Sequence, residues 1–107
     1  MISLDDTIAA QYYSSMISTF KCSDTADLFN GHRVARWANI ETVAMRKLAM
    51  LNRAANVSDL RIPPANRLEL LKGDRAGQYS IRINDQWRVC FRFDGGNALD
   101  VEIVDYH

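Results

Sequence analysis

Three runs late in this chain alternate apolar and polar residues with a period of two, and no other feature restricts the fold as tightly. They are "GQYSIRIN" at 77–84, "WRVCFRF" at 87–93 and "ALDVEIVD" at 98–105. Successive side chains of a strand point to opposite faces, so such runs predict strands with one apolar face. Tyr79, Ile81 and Ile83 share one face, Trp87, Val89, Phe91 and Phe93 the next, and Leu99, Val101 and Ile103 the third. Short turns between the runs predict an antiparallel sheet with helices covering its apolar side.

The alternation also sets a register. Directly opposed side chains point the same way, and a slip of one residue inverts every one of them. The apolar faces agree only if paired positions sum to an even number. A three-residue loop, Asn84-Asp85-Gln86, then pairs Ile83 with Trp87, Ile81 with Val89 and Tyr79 with Phe91. On the opposite face Arg82 meets Arg88 and Ser80 meets Cys90, and Arg92 continues that face. Opposed like charges destabilise a sheet, so the arginine cluster predicts a bound anion, with phosphate matching the guanidinium fork. Neutralisation by Asp100, Glu102 or Asp105 on the next strand is the competing expectation.

The charge distribution agrees with a polyanion-binding face. The formal net charge is zero, yet residues 61–92 carry +4 and residues 93–107 carry −4. Such asymmetry marks either an anion-binding surface or neighbouring strands that neutralise each other.

The first half reads as helical. Residues 1–15 differ from the rest and are expected to form an N-terminal extension, with the domain running over 16–107 from the strand-like "MISTFK". "SDTADLFNG" at 23–31 predicts a short helix, capped by Ser23 or Asp24 and ended by Asn30-Gly31. A second helix is expected from about Asn39 to Ala55, with Ile40, Ala44, Leu48, Leu51 and Ala55 facing the core. Arg46, Lys47 and Arg53 are expected mostly off that stripe. Pro63-Pro64 breaks the helical pattern, and "LELLKG" at 68–73 predicts a further strand.

Several function classes are disfavoured. At 107 residues and 48% apolar the chain suits one small domain. No apolar run approaches the roughly 18 residues of a membrane span, and no basic residue precedes Lys21, so a cytoplasmic protein is expected. Cys22 and Cys90 form no close pair, and His32 and His107 add no ligand spacing, so neither a disulfide framework, a structural metal nor a cofactor is expected.

The chemistry gathers at two places. Lys72-Gly73-Asp74-Arg75, with Gly77 beyond, is a basic turn whose glycines permit close approach to phosphate. Asp105-Tyr106-His107 places a carboxylate, a phenol and an imidazole together. The imidazole exchanges protons near neutral pH, and a carboxylate can orient it. Together with cations these groups suit RNA cleavage, in which the ribose 2′-OH attacks the adjacent phosphate.

"NRLELLKGDRAGQYSIRINDQWRVCFRF" with "DVEIVDYH", and "MISTFK", "DLFNG", "RKLAMLN" and "DLRIPP" before them, resembles the RelE/ParE toxin superfamily, most closely its HigB-type toxins. The resemblance covers the chain from Met16 onward. It implies a compact α+β fold, with two main helices packed on one face of a small antiparallel sheet. It implies a metal-independent endoribonuclease that cuts messenger RNA on the 70S ribosome and leaves a 2′,3′-cyclic phosphate and a 5′-hydroxyl. The family's catalytic pattern corresponds to Lys72, Arg88, Asp105, Tyr106 and His107 here. Glu69 stands where some members carry a histidine, which leaves the general base open among Glu69, Asp105, Tyr106 and His107. Arg67, Arg75, Arg82 and Arg92 are the expected RNA or ribosome contacts. The resemblance further implies a helix-turn-helix, HigA-type antitoxin, through which operator DNA is bound. A non-catalytic ParE-like gyrase inhibitor and a plain RNA-binding module of the same fold are the alternatives.

Overall fold

The structure, a computed structural model, describes residues 16–106. The expected extension at 1–15 and the terminal His107 lie outside the described residues. Two α-helices, α1 (Ser23–Phe29) and α2 (Glu41–Arg53), pack on a five-stranded sheet. The strands are β1 (Met16–Ile17), β2 (Glu69–Leu70), β3 (Tyr79–Arg82), β4 (Trp87–Asp94) and β5 (Asn97–Asp105). Their order is β1-β5-β4-β3-β2. Four strands run antiparallel, as the alternation predicts. β1 joins β5 in parallel, with Met16 opposite Asn97 and Ile17 opposite Ala98, so the sheet is mixed at one edge. Among the described residues no helix is long and apolar enough to cross a membrane.

The β3–β4 register follows the parity argument. Tyr79 pairs with Phe91, Ser80 with Cys90, Ile81 with Val89 and Arg82 with Arg88. Ile81, Val89 and Phe91 are fully buried against the helices. The opposite face is partly covered as well: Ser80, Arg88 and Cys90 are buried there, with Leu71 of the 66–78 segment also inaccessible.

β5 departs from simple alternation. Ala98, not Leu99, enters the core with Val101 and Ile103. Arg92 pairs with Leu99, while Cys90 pairs with Glu102, so β5 holds one residue more than β4 between these points. Asp100 takes φ +52, the left-handed conformation that absorbs an extra residue in a bulge. Its N–H donates to the Thr19 hydroxyl at 2.8 Å, and the Ile103 N–H donates to the buried Thr25 hydroxyl at 3.1 Å. Thr19, ahead of α1, and Thr25, within it, thereby fix the phase of the last strand.

α1 starts differently from expectation. Ser23 and Asp24 lie inside its first turn, and Cys22 caps it in extended conformation through its carbonyl alone, which accepts from the Ala26 N–H. Its end follows expectation: Gly31 adopts φ +91, its N–H donates to the Leu28 carbonyl and that of His32 to Asp27. These two bonds satisfy carbonyls a helix end otherwise leaves open.

α2 buries Ala44, Lys47, Leu48 and Leu51. Lys47 was expected off the stripe, yet its spacing from Ile40, Ala44 and Leu51 puts it on that face. Ala54, rather than Ala55, is buried, because the chain turns extended after Arg53. The strand expected over 68–73 shrinks to Glu69–Leu70. Leu71 still donates to Gln78, but Gly73, at φ +63, opens a 3₁₀ turn over Gly73–Arg75.

Candidate functional site

The polar face of the sheet carries a cross-strand row. Glu69 lies opposite Ser80, Ser80 opposite Cys90 and Cys90 opposite Glu102, so all four point to the same side. Arg88 belongs to the adjoining row with Arg82 and Val104. Its Nε donates to the Ser80 hydroxyl at 2.8 Å and its Nη2 to the Arg67 backbone carbonyl at 2.6 Å. Glu69 Oε1 lies 3.8 Å from the same Nη2. The Tyr106 ring covers the guanidinium, 5.3 Å from ring centre to Cζ, within cation–π range. Among the described residues, Nη1 bonds to no protein atom, which leaves one edge of the fork for a ligand.

Two clefts meet at Glu69. One, of about 410 Å³, is lined by Glu69, Leu70, Lys72, Asp74, Arg75 and Tyr106. The other, of about 360 Å³, is lined by Arg67, Leu68, Glu69 and Arg88. Lys72 and Arg67 are exposed, and among the described residues neither side chain has a hydrogen bond or ion pair. The structure thus brings Glu69, Lys72, Arg88 and Tyr106 together, with Arg67 beside them as a second uncommitted cation.

The other three expected RNA-contacting arginines are paired within the protein. Arg82 bonds Asp85 at 2.5 Å, Arg92 meets Asp100 at 3.4 Å and Arg75 meets Glu102 at 3.0 Å. The hydrogen bond from Arg75 to Glu102 raises the Arg75 pKa above its ordinary value, against the opposing effect of burial. The fold therefore relieves the opposed Arg82–Arg88 charges internally, and the expectation that it needs an anion for that purpose is corrected. Of the acids that the competing expectation named, Asp100 meets the cluster, at Arg92, whereas Glu102 pairs with Arg75 and Lys21 instead.

Asp105 stands apart from the cleft. It pairs with Trp87, whose side of the sheet faces the helices, and its Oδ2 accepts from Gln86 Nε2 at 3.1 Å. The Tyr106 N–H donates to the Gln86 carbonyl, so Gln86 anchors the strand end through both residues. Cys90 is fully buried on the polar face, and burial is the leading cause that pushes its thiol pKa up.

Sequence reasoning missed Ser80 and Gln86 as supports, although the register already placed Ser80 beside Arg88. It also missed Leu70, which stays 58% exposed at the mouth of the larger cleft. Among the described residues no group of His, Cys, Asp and Glu side chains is arranged to hold a metal ion.

Comparison with known proteins sets this site in context. A family described as "RelE-like toxin of type II toxin-antitoxin system HigB" matches residues 20–107. Toxin HigB-1 of Vibrio cholerae is 48% identical over 63 residues, 59% of this chain and 66% of that protein. An uncharacterised protein of Haemophilus influenzae is 44% identical over 70 residues, 65% of this chain and 68% of that protein. Endoribonuclease HigB of Proteus vulgaris is 44% identical over 41 residues, 38% of this chain and 45% of that protein. A YoeB/ParE toxin structure from Agrobacterium tumefaciens aligns at TM-score 0.45 and 19% identity, over 89% of this chain and 99% of that one.

Proposed function

The chain belongs to the HigB-like family of RelE-like toxins of type II toxin–antitoxin systems, and from that premise we propose that it is a ribosome-dependent messenger RNA endoribonuclease that blocks translation. The observation that carries this reading is the convergence of Glu69, Lys72, Arg88 and Tyr106 on adjoining clefts. A carboxylate, two cations and a phenol are groups that can serve in-line attack of a ribose hydroxyl on phosphate.

In this scheme the Glu69 carboxylate takes the proton of the 2′-OH, and O2′ attacks the adjacent phosphorus. Lys72 and the open edge of Arg88 stabilise the charge that builds on the phosphorane oxygens. His107 gives a proton to O5′ as the P–O5′ bond breaks, which leaves a 2′,3′-cyclic phosphate and a 5′-hydroxyl. Tyr106 orients the scissile nucleotide, and Asp105 steadies the strand end through Gln86 rather than meeting substrate. These residues supply both cations and proton carriers, so the scheme uses no metal. Arg67 is the best placed of the outer arginines to meet RNA, since Arg75, Arg82 and Arg92 enter such contacts only by sharing their carboxylate partners.

The reading extends to the partners. The domain is residues 16–107, with 1–15 outside it. It acts in the cytoplasm on messenger RNA in the 70S ribosome and is held inactive by a HigA-type helix-turn-helix antitoxin, through which operator DNA is bound. The test is a mapped cleavage assay with messenger RNA on 70S ribosomes, with free RNA and the Lys72→Ala and His107→Ala variants as controls. Cuts that need the ribosome and vanish in both variants support the scheme. Intact protein that never cuts would falsify it.

A further inference from the structure

Lys47 is 5% exposed, and among the described residues no carboxylate pairs with it. Its ammonium donates to the Asn66 side-chain carbonyl at 2.5 Å. Asn66 is fully buried, and its amide also donates to the Leu60 carbonyl at 3.1 Å. A buried charge facing only a carboxamide is costly where an apolar side chain would fill the same helix position. Burial, then the nearby Arg46 and Arg82, lower the Lys47 pKa from its ordinary value.

What this arrangement holds is the next residue. Asn66 ends a 3₁₀ turn over Pro64–Asn66, and Arg67 follows in left-handed conformation at φ 46, ψ 55. A non-glycine residue there costs about 1–2 kcal/mol and persists only when its surroundings impose it. The conformation carries a carbonyl to Arg88 Nη2 at 2.6 Å. Two residues further, the same segment delivers Glu69 to 3.8 Å from that nitrogen.

We propose that Lys47 and Asn66 are positioning residues, which lock the Arg67 turn so that its carbonyl seats the Arg88 guanidinium and the following residues set Glu69 beside it. The inference rests on reading Arg88 as a phosphate-binding group. Lys47 touches no substrate; it acts through Asn66 and the backbone from α2 to the site.

The test joins two readouts on the full chain. The first is the Arg88 Nε–H signal in a ¹H–¹⁵N spectrum, assigned by its absence in Arg88→Lys. The second is steady-state cleavage on ribosomes. In Lys47→Met the fold persists, the Arg88 signal shifts or broadens, and kcat falls on the order of 100-fold with KM little changed. Lys47→Arg, which keeps the donor, restores signal and rate. Asn66→Ser breaks the same contact from the other side and takes the place of Lys47→Met if that variant does not fold. An unmoved Arg88 signal in a folded Lys47→Met or Asn66→Ser protein overturns the proposal, whatever the activity. A moved signal beside a wild-type protein that never cleaves keeps the positioning role and removes the nuclease reading instead.

Discussion

The backbone carbonyl of Arg67 accepts a hydrogen bond from Arg88 Nη2 at 2.6 Å, so one residue's main chain seats the other's side chain. The seat does not need the Arg67 side chain. Glycine adopts the left-handed conformation without strain, so Arg67→Gly keeps the fold and gains up to about 1 kcal/mol in urea unfolding. Arg88→Ala strips partners from the buried Ser80 hydroxyl and from this carbonyl, and is expected to lose about 1–3 kcal/mol. A loss in Arg67→Gly as large as that in Arg88→Ala would show that the side chain, not the carbonyl, matters.

Glu69 is the carboxylate that shares both clefts with the cations. If it is the base, Glu69→Gln lowers single-turnover cleavage about 10²–10⁴-fold while Asp105→Asn has a much smaller effect. Comparing the two variants on ribosome-bound messenger RNA checks this. The reverse ranking would move the proton chemistry to the other side of the strand end.

The bulge at Asp100 makes a backbone prediction. Asp100→Gly relieves the left-handed strain but loses the half-exposed ion pair with Arg92, so the two effects nearly cancel. Asp100→Val keeps the strain, adds a β-branched side chain and loses the pair, and is expected to cost about 1–3 kcal/mol. Denaturant midpoints at constant slope read the difference.

The two cysteines should differ in reactivity. Cys90 is fully buried and its thiol pKa is raised, chiefly by burial, so little reactive thiolate forms. Cys22 is partly exposed. Iodoacetamide should label Cys22 alone in the folded protein and both cysteines in urea, as mass spectrometry of the peptides will show. Prompt labelling of Cys90 in the folded state would mean that the polar face opens.

Lys47 predicts the sign of a pH effect. Its folded-state pKa lies below the ordinary value of 10.5, so between the two the unfolded chain holds the proton more tightly. Linkage then makes the Lys47 contribution least favourable below the lowered value and relieves it as pH rises toward 10.5. Urea unfolding of wild type and Lys47→Met across that range should show wild type gaining on the variant. A flat or falling difference would contradict the assignment.

Much of the sheet was legible because alternation is a strict constraint. The pairing of Arg82 with Arg88 followed from parity together with the shortest fitting loop, Asn84-Asp85-Gln86. The bulge was not legible, since Asp100 is polar and continues the written alternation while its backbone breaks it. Lys47 was misplaced because its charge was weighed above its spacing on α2. At the site, Lys72 was visible as a type in a glycine turn, whereas Glu69 entered only through the family resemblance. The side of the sheet that Asp105 faces needed the register of β5, and the internal pairing of Arg75, Arg82 and Arg92 needed three-dimensional neighbours.

β5 pairs with β4 along one side and with β1 along the other, and Met16 meets Asn97 across 81 positions of sequence. A contact so distant closes late, because the loop entropy must be overcome before any pairing repays it. The helices and the β3–β4 hairpin rest on nearer contacts and can form first. Tyr106 comes to rest over Arg88 once β5 has folded back on β4, a hairpin closed by the short turn between Asp94 and Asn97. The cleft draws only on residues 67–106, so it can be finished before β1 closes the far edge, and a chain caught before that step would carry a complete site beside an open sheet edge.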